Sequence, residues 1–466
     1  MRFNILENDT ICALSSPPGM GAIAIVRLSG EKSHEIVAEI FEQKNKKFLL
    51  SKIETYKAYY GQIIDKEEFI DDVLVLFFKK PHSYTGENVV EINCHGSIYI
   101  QQRLLEIFIQ HGARLAEPGE FSMRAFTNGK FDLAQAEAIA DLIASQSKAA
   151  HNLAVNQMRG GFSKKISTLR NRLLEFASLI ELELDFSEED VEFVDRNKFF
   201  QLIDNLKDEI IKLIKSFTSG NVIKNGIPVA IIGKTNVGKS TLLNAILNEE
   251  RALVSDIPGT TRDTIEDTIV IGGFTFRFID TAGLRISDDT VENMGIERTY
   301  DKIKQASILL YVCDLTSIDD VSANEIIEEL KQYTENQNKQ VVLIGNKVDL
   351  LTKIPEYFKD LIPLETVFIS AKRKENINLI SESLQKKAQA IHHEQDTIVS
   401  NLRHYQALEA AHEAILAVEN GFNNNIPTDL IAIDLRQAIY HLGTITGAIS
   451  NDEVLGSIFE KFCIGK

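Results

Sequence analysis

Residues 227–232, Ile-Pro-Val-Ala-Ile-Ile, make an apolar run of the length of one buried strand. The next eight, Gly233-Lys234-Thr235-Asn236-Val237-Gly238-Lys239-Ser240, are bounded by glycines and end in Gly-Lys-Ser, and residues 241–247 read as helix. A strand, a glycine-bounded loop and a helix N-terminus in that order leave few folds open. They predict an α/β layer whose loop N–H groups and positive helix end face an anion. In such a cradle the backbone from Asn236 through Val237 and Gly238 to Thr241 closes on phosphates. Lys239 reaches the outer phosphates and the Ser240 hydroxyl can hold Mg²⁺.

A phosphate cradle does not choose a base. Four later segments do. Asp280-Thr281-Ala282-Gly283 follows a strand-like stretch at 275–279, which places Asp280 to hold Mg²⁺ through water and the Gly283 N–H to bond a γ-phosphate. Between it and the cradle lies Ser255-Asp256-Ile257-Pro258-Gly259-Thr260-Thr261-Arg262-Asp263, polar and turn-prone. It suits a switch segment whose Thr261 joins Mg²⁺ only when the γ-phosphate is present. Asn346-Lys347-Val348-Asp349 follows the buried run 341–344, and Asp349 can accept from the N1–H and N2 amine of guanine. A site built around such donors rejects a base lacking them by ~10⁴ or more. Ser370-Ala371-Lys372, after 366–369, brings a backbone N–H to the guanine O6. Each segment alone is a surface turn as often as not; together and in order they predict a GTPase that binds GTP and GDP.

The rest of the chain bounds the setting. With 466 residues, 44% hydrophobic and 25% charged, it has room for two to four globular domains. No apolar run approaches the ~18 residues of a membrane span, and the acidic N-terminus does not read as a secretory signal. Cys12, Cys94, Cys313 and Cys463 are scattered, without the spacing of a zinc site or a disulfide framework. A cytoplasmic protein with no membrane partner is expected. The net charge of −17 argues against loose binding to nucleic acid, so an RNA substrate needs a local basic patch or a basic partner.

Taken in order, residues 1–118 read as an α+β domain, with strands at 22–28, 72–78 and 88–94 and helices at 31–43 and 97–111; 44–52 is basic and loop-like. Arg27 and Glu91 interrupt strand runs, a costly placement unless they are paired or face a ligand; from these residues alone an ion pair or an exposed face is the first reading. Residues 119–220 read as helical: a short helix at 119–128, a long one capped by Asp132 and running to about 158, then 162–184 and 198–217. The nucleotide module spans 221–387, and 388–466 is helical again at 401–420, 428–442 and 452–462. One all-α bundle split by an inserted Ras-like α/β P-loop GTPase domain accounts for this order. The last four residues, Cys463-Ile464-Gly465-Lys466, have the outline of a prenylation box, but Gly465 is not aliphatic and Lys466 is a poor final residue.

One part of a hydrolysis site is missing. Leu284 stands after Gly283, where many small GTPases carry a water-positioning Gln, and it cannot hydrogen-bond water. Arg285, Asp288, Asp289 and Glu292 are the downstream candidates for that work; no arginine is a clear finger, since Arg262 and Arg285 suit salt bridges as well as that role.

The turn Pro17-Pro18-Gly19, Pro118-Gly119-Glu120-Phe121, the stretch Lys130 to Ile139 (Lys-Phe-Asp-Leu-Ala-Gln-Ala-Glu-Ala-Ile), Gly259-Thr260-Thr261-Arg262-Asp263, residues 280–285 and the tail 462–466 closely resemble the tRNA modification GTPase MnmE (TrmE) family, over the full chain. The resemblance implies a folate-binding N-terminal domain that forms a homodimer, a helical domain built from both sides of the insertion, and a GTPase domain. It implies a flavoprotein partner, MnmG, in a heterotetramer, and modification of C5 of a tRNA wobble uridine to the aminomethyl or carboxymethylaminomethyl form. The one-carbon unit would come from a tetrahydrofolate derivative (5-formyl- or methylene-tetrahydrofolate). Carried over by position, Arg27, Glu91, Lys130 and Lys466 contact the folate, and Cys463 is either catalytic or a small buried thiol. Asn236, the carbonyls of Ser255 and Ile257, and Thr260 align with the family's K⁺ ligands, and Glu292 with its water-orienting glutamate. K⁺ would then supply the charge that an arginine finger supplies elsewhere. Two other readings share the nucleotide segments: a regulatory GTPase of ribosome assembly, and a folate-dependent one-carbon transferase acting on a small molecule.

Overall fold

The computed structural model describes residues 9–43, 46–185, 196–251, 267–279, 303–336, 339–353, 365–391, 398–450, 452–460, 462 and 464–465. The chain divides into two units, one of Met1–Ala140, Gln157–Phe199 and Glu413–Lys466, the other of Asp141–Asn156 and Phe200–His412. No helix of the described residues is long and apolar enough to cross a membrane.

In the first unit, β1 (Thr10–Leu14), β2 (Ile23–Ser29), β3 (Phe41–Gln43), β4 (Lys46–Lys47), β5 (Lys57–Asp65), β6 (Glu68–Phe78), β7 (Val89–His95) and β8 (Ala113–Leu115) form one sheet in the order β4-β3-β5-β6-β7-β2-β1-β8. Its strands alternate. Val73, Val75, Phe77, Val90, Ile92, Val26 and Leu28 face inward and form a core with Ile36, Val37 and Ile40 of α1 (Ser33–Ile40) and Leu104, Ile107 and Phe108 of α2 (Ile98–Gln110). Burying each such side chain stabilises the fold by about 1.5–3 kcal/mol. The opposite face carries the cross-strand row Tyr60, Leu74, Asn93, Ile25 and, beside it, Ala58, Leu76, Glu91, Arg27. Tyr60, Leu74 and Ile23 on that face are exposed.

The helix anticipated over 31–43 stops at Ile40 and the chain turns into β3; the basic stretch after it contributes β4. A single helix from 132 to about 158 is replaced by α4 (Leu133–Ala144) and α5 (Lys148–Met158), after α3 (Glu120–Thr127). Two serines account for the break. Ser145 Oγ bonds back to the Leu142 carbonyl at 2.7 Å, and Ser147 Oγ accepts the Ala150 N–H at 3.3 Å as α5 begins. Asp132 caps α4 reciprocally with Gln135: the Gln135 N–H donates to Asp132 Oδ1 and the Asp132 N–H to Gln135 Oε1. Within this unit α6 (Gly161–Asp185) packs against α12 (Thr428–Thr446), so helices from both sides of the nucleotide module pack together; Leu169 and Leu173 of the one and Leu435 and Leu442 of the other are fully buried.

In the second unit, α7 (Arg196–Asn225) leads into a six-stranded sheet: β9 (Ile227–Ile232), β10 (Asp267–Ile271), β11 (Phe274–Phe278), β12 (Ile308–Asp314), β13 (Gln340–Asn346) and β14 (Thr366–Phe368), in the order β10-β11-β9-β12-β13-β14. All pairs are parallel except the hairpin β10–β11. Both faces are covered, as a parallel sheet requires. Val229, Ile231, Leu310 and Val312 pack on α8 (Lys239–Arg251) and α10 (Ile377–Ile391); Ala230, Ile232, Leu309 and Leu343 pack on α9 (Asp320–Lys331). Among the described residues the chain also forms α11 (Leu402–Asn423) and, in the first unit, α13 (Asp452–Phe459).

Candidate functional site

Every residue of β9 is buried, and the strand delivers the chain to Gly233. There φ is +144°, and a Cβ would strike the Val312 carbonyl, so only glycine fits. Asn236 and Gly238 also have positive φ, +61° and +99°, which turns the loop over on itself before α8 begins at Lys239. Val237 is the loop's buried anchor, while Thr235 and Asn236 stand exposed. Lys239 Nζ donates to the carbonyls of Gly233 at 2.9 Å and Lys234 at 2.6 Å, arching over the loop. Ser240 and Thr241 follow in the first turn of α8, where unpaired N–H groups favour an anion.

Asn346 ends β13 and is 3% exposed. Its Nδ2 donates to the Val237 carbonyl at 2.8 Å, and its Oδ1 accepts the Ala371 N–H at 3.0 Å. One carboxamide therefore joins three of the segments singled out in the sequence: the phosphate loop, Asn346–Asp349 and Ser370–Lys372. Lys347 turns the chain with φ +68°, and its Nζ lies 2.5 Å from Asp314 Oδ2. The Val348 N–H bonds the Ile369 carbonyl at 3.1 Å. Asp349 follows in a short 3-10 turn, its carboxylate facing Arg373 Nε at 3.5 Å. Ser370 is fully buried; its N–H donates to Glu375, and its Oγ accepts the Arg373 N–H at 3.1 Å. Burial is the largest influence on Asp314 and pushes its pKa up. The bonds from Lys347 and Thr316 together outweigh it and leave the carboxyl below the usual range.

Ser255, Ile257, Thr260, Thr261, Asp280, Gly283, Glu292, Cys463 and Lys466 lie outside the described residues.

In the first unit, Arg27 and Glu91 are direct cross-strand partners. Arg27 Nε and Nη2 donate to Glu91 Oε1 at 2.9 and 2.7 Å, so the ion-pair reading of these residues holds. The C-terminal tail reaches this pair through Arg27. The Gly465 carbonyl accepts from Arg27 Nη1 at 3.3 Å and from Ser15 Oγ at 3.1 Å. Gly465 has φ +92°, and a Cβ there would strike the Leu14 carbonyl. The guanidinium also lies 5.4 Å from the Tyr84 ring and 5.7 Å from that of Phe121. Lys130 instead donates to the Pro81 carbonyl at 3.0 Å. Sequence reasoning missed Asp314 and Tyr84. Asp314 had a signal: it is the first charge after the apolar run Ile308–Cys313, at the end of a core strand beside Asn346.

The profile described as "GTP-binding protein TrmE N-terminus" matches residues 10–130, and that of the "MnmE helical domain" matches 133–463. The tRNA modification GTPase MnmE of Bacteroides fragilis (strain YCH46) is 50% identical over 473 aligned residues, covering 99% of this chain and 100% of the relative. Its counterparts in Flavobacterium johnsoniae and Cytophaga hutchinsonii are each 49% identical, over 99% of this chain and 100% and 98% of their own lengths. With the phosphate loop, the Asn346 bridge and the full-length match together, the chain belongs to the MnmE (TrmE) family of tRNA modification GTPases.

Proposed function

We propose that this chain hydrolyses GTP in a K⁺- and Mg²⁺-dependent reaction that serves modification of C5 of the tRNA wobble uridine. The observation that carries the nucleotide part is the Asn346 carboxamide, which holds the phosphate loop and the Ala371 backbone in one constellation with Asp349 close by in sequence. In this reading Asp349 accepts from guanine, the loop N–H groups and Lys239 hold the phosphates, and Ser240 and Thr261 hold Mg²⁺. The donor set fits: Gly233 and Gly238 let the loop pack tightly against Val312 and Asn346, and Ser240 stands in the first turn of α8. Asn236, exposed on the loop, is the described member of the K⁺ set; Ser255, Ile257 and Thr260 complete it, and Glu292 orients the attacking water. A monovalent cation there offsets negative charge that develops between the phosphates.

The same reading assigns the first unit to a tetrahydrofolate derivative, 5-formyl- or methylene-tetrahydrofolate, as the one-carbon donor. Arg27, Glu91, Lys130 and Lys466 would contact it, with Cys463 near the reacting end. Its support is the meeting of Arg27, Glu91 and the penultimate residue Gly465. The exposed face with Tyr60, Leu74 and Ile23 supports a homodimer through this sheet. The flavoprotein MnmG completes a heterotetramer on tRNA, and the site of action is cytoplasmic. Two measurements test the proposal. GTP turnover should fall when K⁺ is replaced by Na⁺ at equal ionic strength; equal rates reject the K⁺ site. Mass spectrometry of wobble uridines should show loss of the C5 group in cells lacking this chain, and an intact modification rejects the tRNA role.

A further inference from the structure

We infer that Asp314 is a positioning residue for guanine-nucleotide binding: it anchors the Lys347 turn from which the base-reading segment hangs. The inference rests on the GTPase reading above and extends it to a residue outside the nucleotide-binding segments. Asp314 and Asn346 end neighbouring parallel strands at the same level, and the Leu315 N–H donates to the Asn346 carbonyl at 3.2 Å. Both oxygens of the Asp314 carboxylate are occupied. Oδ1 accepts from the Thr316 N–H at 3.0 Å and from Thr316 Oγ1 at 2.7 Å, while Oδ2 holds Lys347 Nζ at 2.5 Å. The carboxylate is thus fixed in one rotamer before it meets the lysine, and its side chain is 13% exposed.

The lysine needs an anchor. Lys347 has φ +68° and ψ 32°, the left-handed conformation that a side chain with a Cβ disfavours. That single residue lies between Asn346, whose carboxamide is committed to Val237 and Ala371, and Asp349, which reads the base. If the turn relaxes toward an ordinary conformation, Asp349 leaves its place relative to Asn346. Lys347 and Asp314 line a cavity of about 270 Å³ together with Lys234, Thr235, Asn236 and Val237. The anchor therefore sits against the phosphate loop, so slack in it is felt by both halves of the nucleotide site.

The test uses the full chain with a fluorescent GDP analogue and GTP. Asp314→Ala should weaken GDP about tenfold (about 1.4 kcal/mol), chiefly through faster dissociation, and raise KM while kcat at saturating GTP stays within about twofold. Asp314→Asn, which keeps the Thr316 bonds and loses the charge, should fall between the two and guards against a folding defect in the alanine variant. Lys347→Ala should cost less affinity on the Asp314→Ala background than on the natural one, as coupled residues do. Unchanged GDP affinity in both Asp314 variants, or an equal Lys347→Ala cost on both backgrounds, overturns the inference alone. Absence of GDP binding by the unaltered chain overturns the GTPase reading itself.

Discussion

A Cβ placed on Gly238 would run into the side-chain nitrogen of Asn346. The glycine does more than turn the phosphate loop; its bare backbone lets the Asn346 carboxamide reach the Val237 carbonyl. Gly238→Ala should push that carboxamide off and lower GDP affinity by about 100-fold or more, since two bonds of a buried carboxamide are disturbed at once. Gly112→Ala is the control. Gly112 has φ +97° with nothing within 4 Å of its Cβ, so it pays backbone strain of about 1–2 kcal/mol and should bind GDP normally. Calorimetric titration of both variants decides, and equal affinity in the two removes the packing argument.

Asp349 gives a prediction about the base. Its carboxylate is 7% exposed on the side-chain scale and meets Arg373 at 3.5 Å, while Arg373 itself is 60% exposed. So exposed a cation adds little, and Arg373→Ala should change GDP affinity less than about threefold. Asp349→Asn replaces an acceptor by a donor. Guanine affinity should fall by about 10³ or more, and xanthine nucleotide, with a carbonyl where guanine has an amine, should be preferred. Competition between GDP and XDP reads this directly, and a retained preference for GDP would show that the base lies elsewhere.

The phosphate loop, Asn346–Asp349 and Ser370–Lys372 could be flagged because each is a local signature: a glycine where φ is positive, a polar cluster after an apolar strand. The register between strands was not. Arg27 and Glu91 could be flagged as charges in apolar runs, but their pairing depends on how β2 and β7 align, which no local pattern encodes. Strand β5 escaped notice because Gly61 interrupts Lys57–Asp65. That glycine marks no turn; a Cβ there would collide with the Phe41 ring and the Glu42 carbonyl of β3. The break between α4 and α5 was also hidden, since the Ala/Leu pattern runs across it and only the two serine side chains end the helix. The tail offered only the outline of a prenylation box, and nothing local in it tells that Gly465 reaches Arg27.

For the Arg27–Glu91 pair, stability and ligand binding should separate. The side chains are 17% and 23% exposed, so the pair is partly screened and its worth is modest. Arg27→Ala leaves Glu91 without that partner and should cost about 1–2 kcal/mol. Glu91→Gln keeps the shape and should cost less than about 1 kcal/mol. On the folate proposal, both variants should lose 5-formyl-tetrahydrofolate binding by at least about tenfold. Thermal unfolding beside a folate titration separates the effects. Folate binding that merely tracks stability would leave this pair a structural one.

The last prediction concerns alkaline pH. Cys12, Cys94 and Cys313 are buried free thiols. Burial is the main cause that pushes each one up, Cys12 and Cys313 to about 12 and Cys94 to about 11, against an ordinary value of 9.0. The sign follows. Below about pH 9 both folded and unfolded thiols hold their protons, and stability is unaffected by them. Above it the unfolded chain releases protons that the folded chain keeps, so stability falls by about 1.4 kcal/mol per pH unit for each thiol until the folded value is reached. Denaturant unfolding between pH 8 and 10.5 should show this loss, and Cys313→Ala should make the slope shallower by one thiol's share. The same burial predicts that a Cys463→Ala variant takes up no thiol reagent at pH 8 while folded, and three equivalents once unfolded. Rapid labelling of the folded variant would mean that at least one of these sulfurs is reached by solvent.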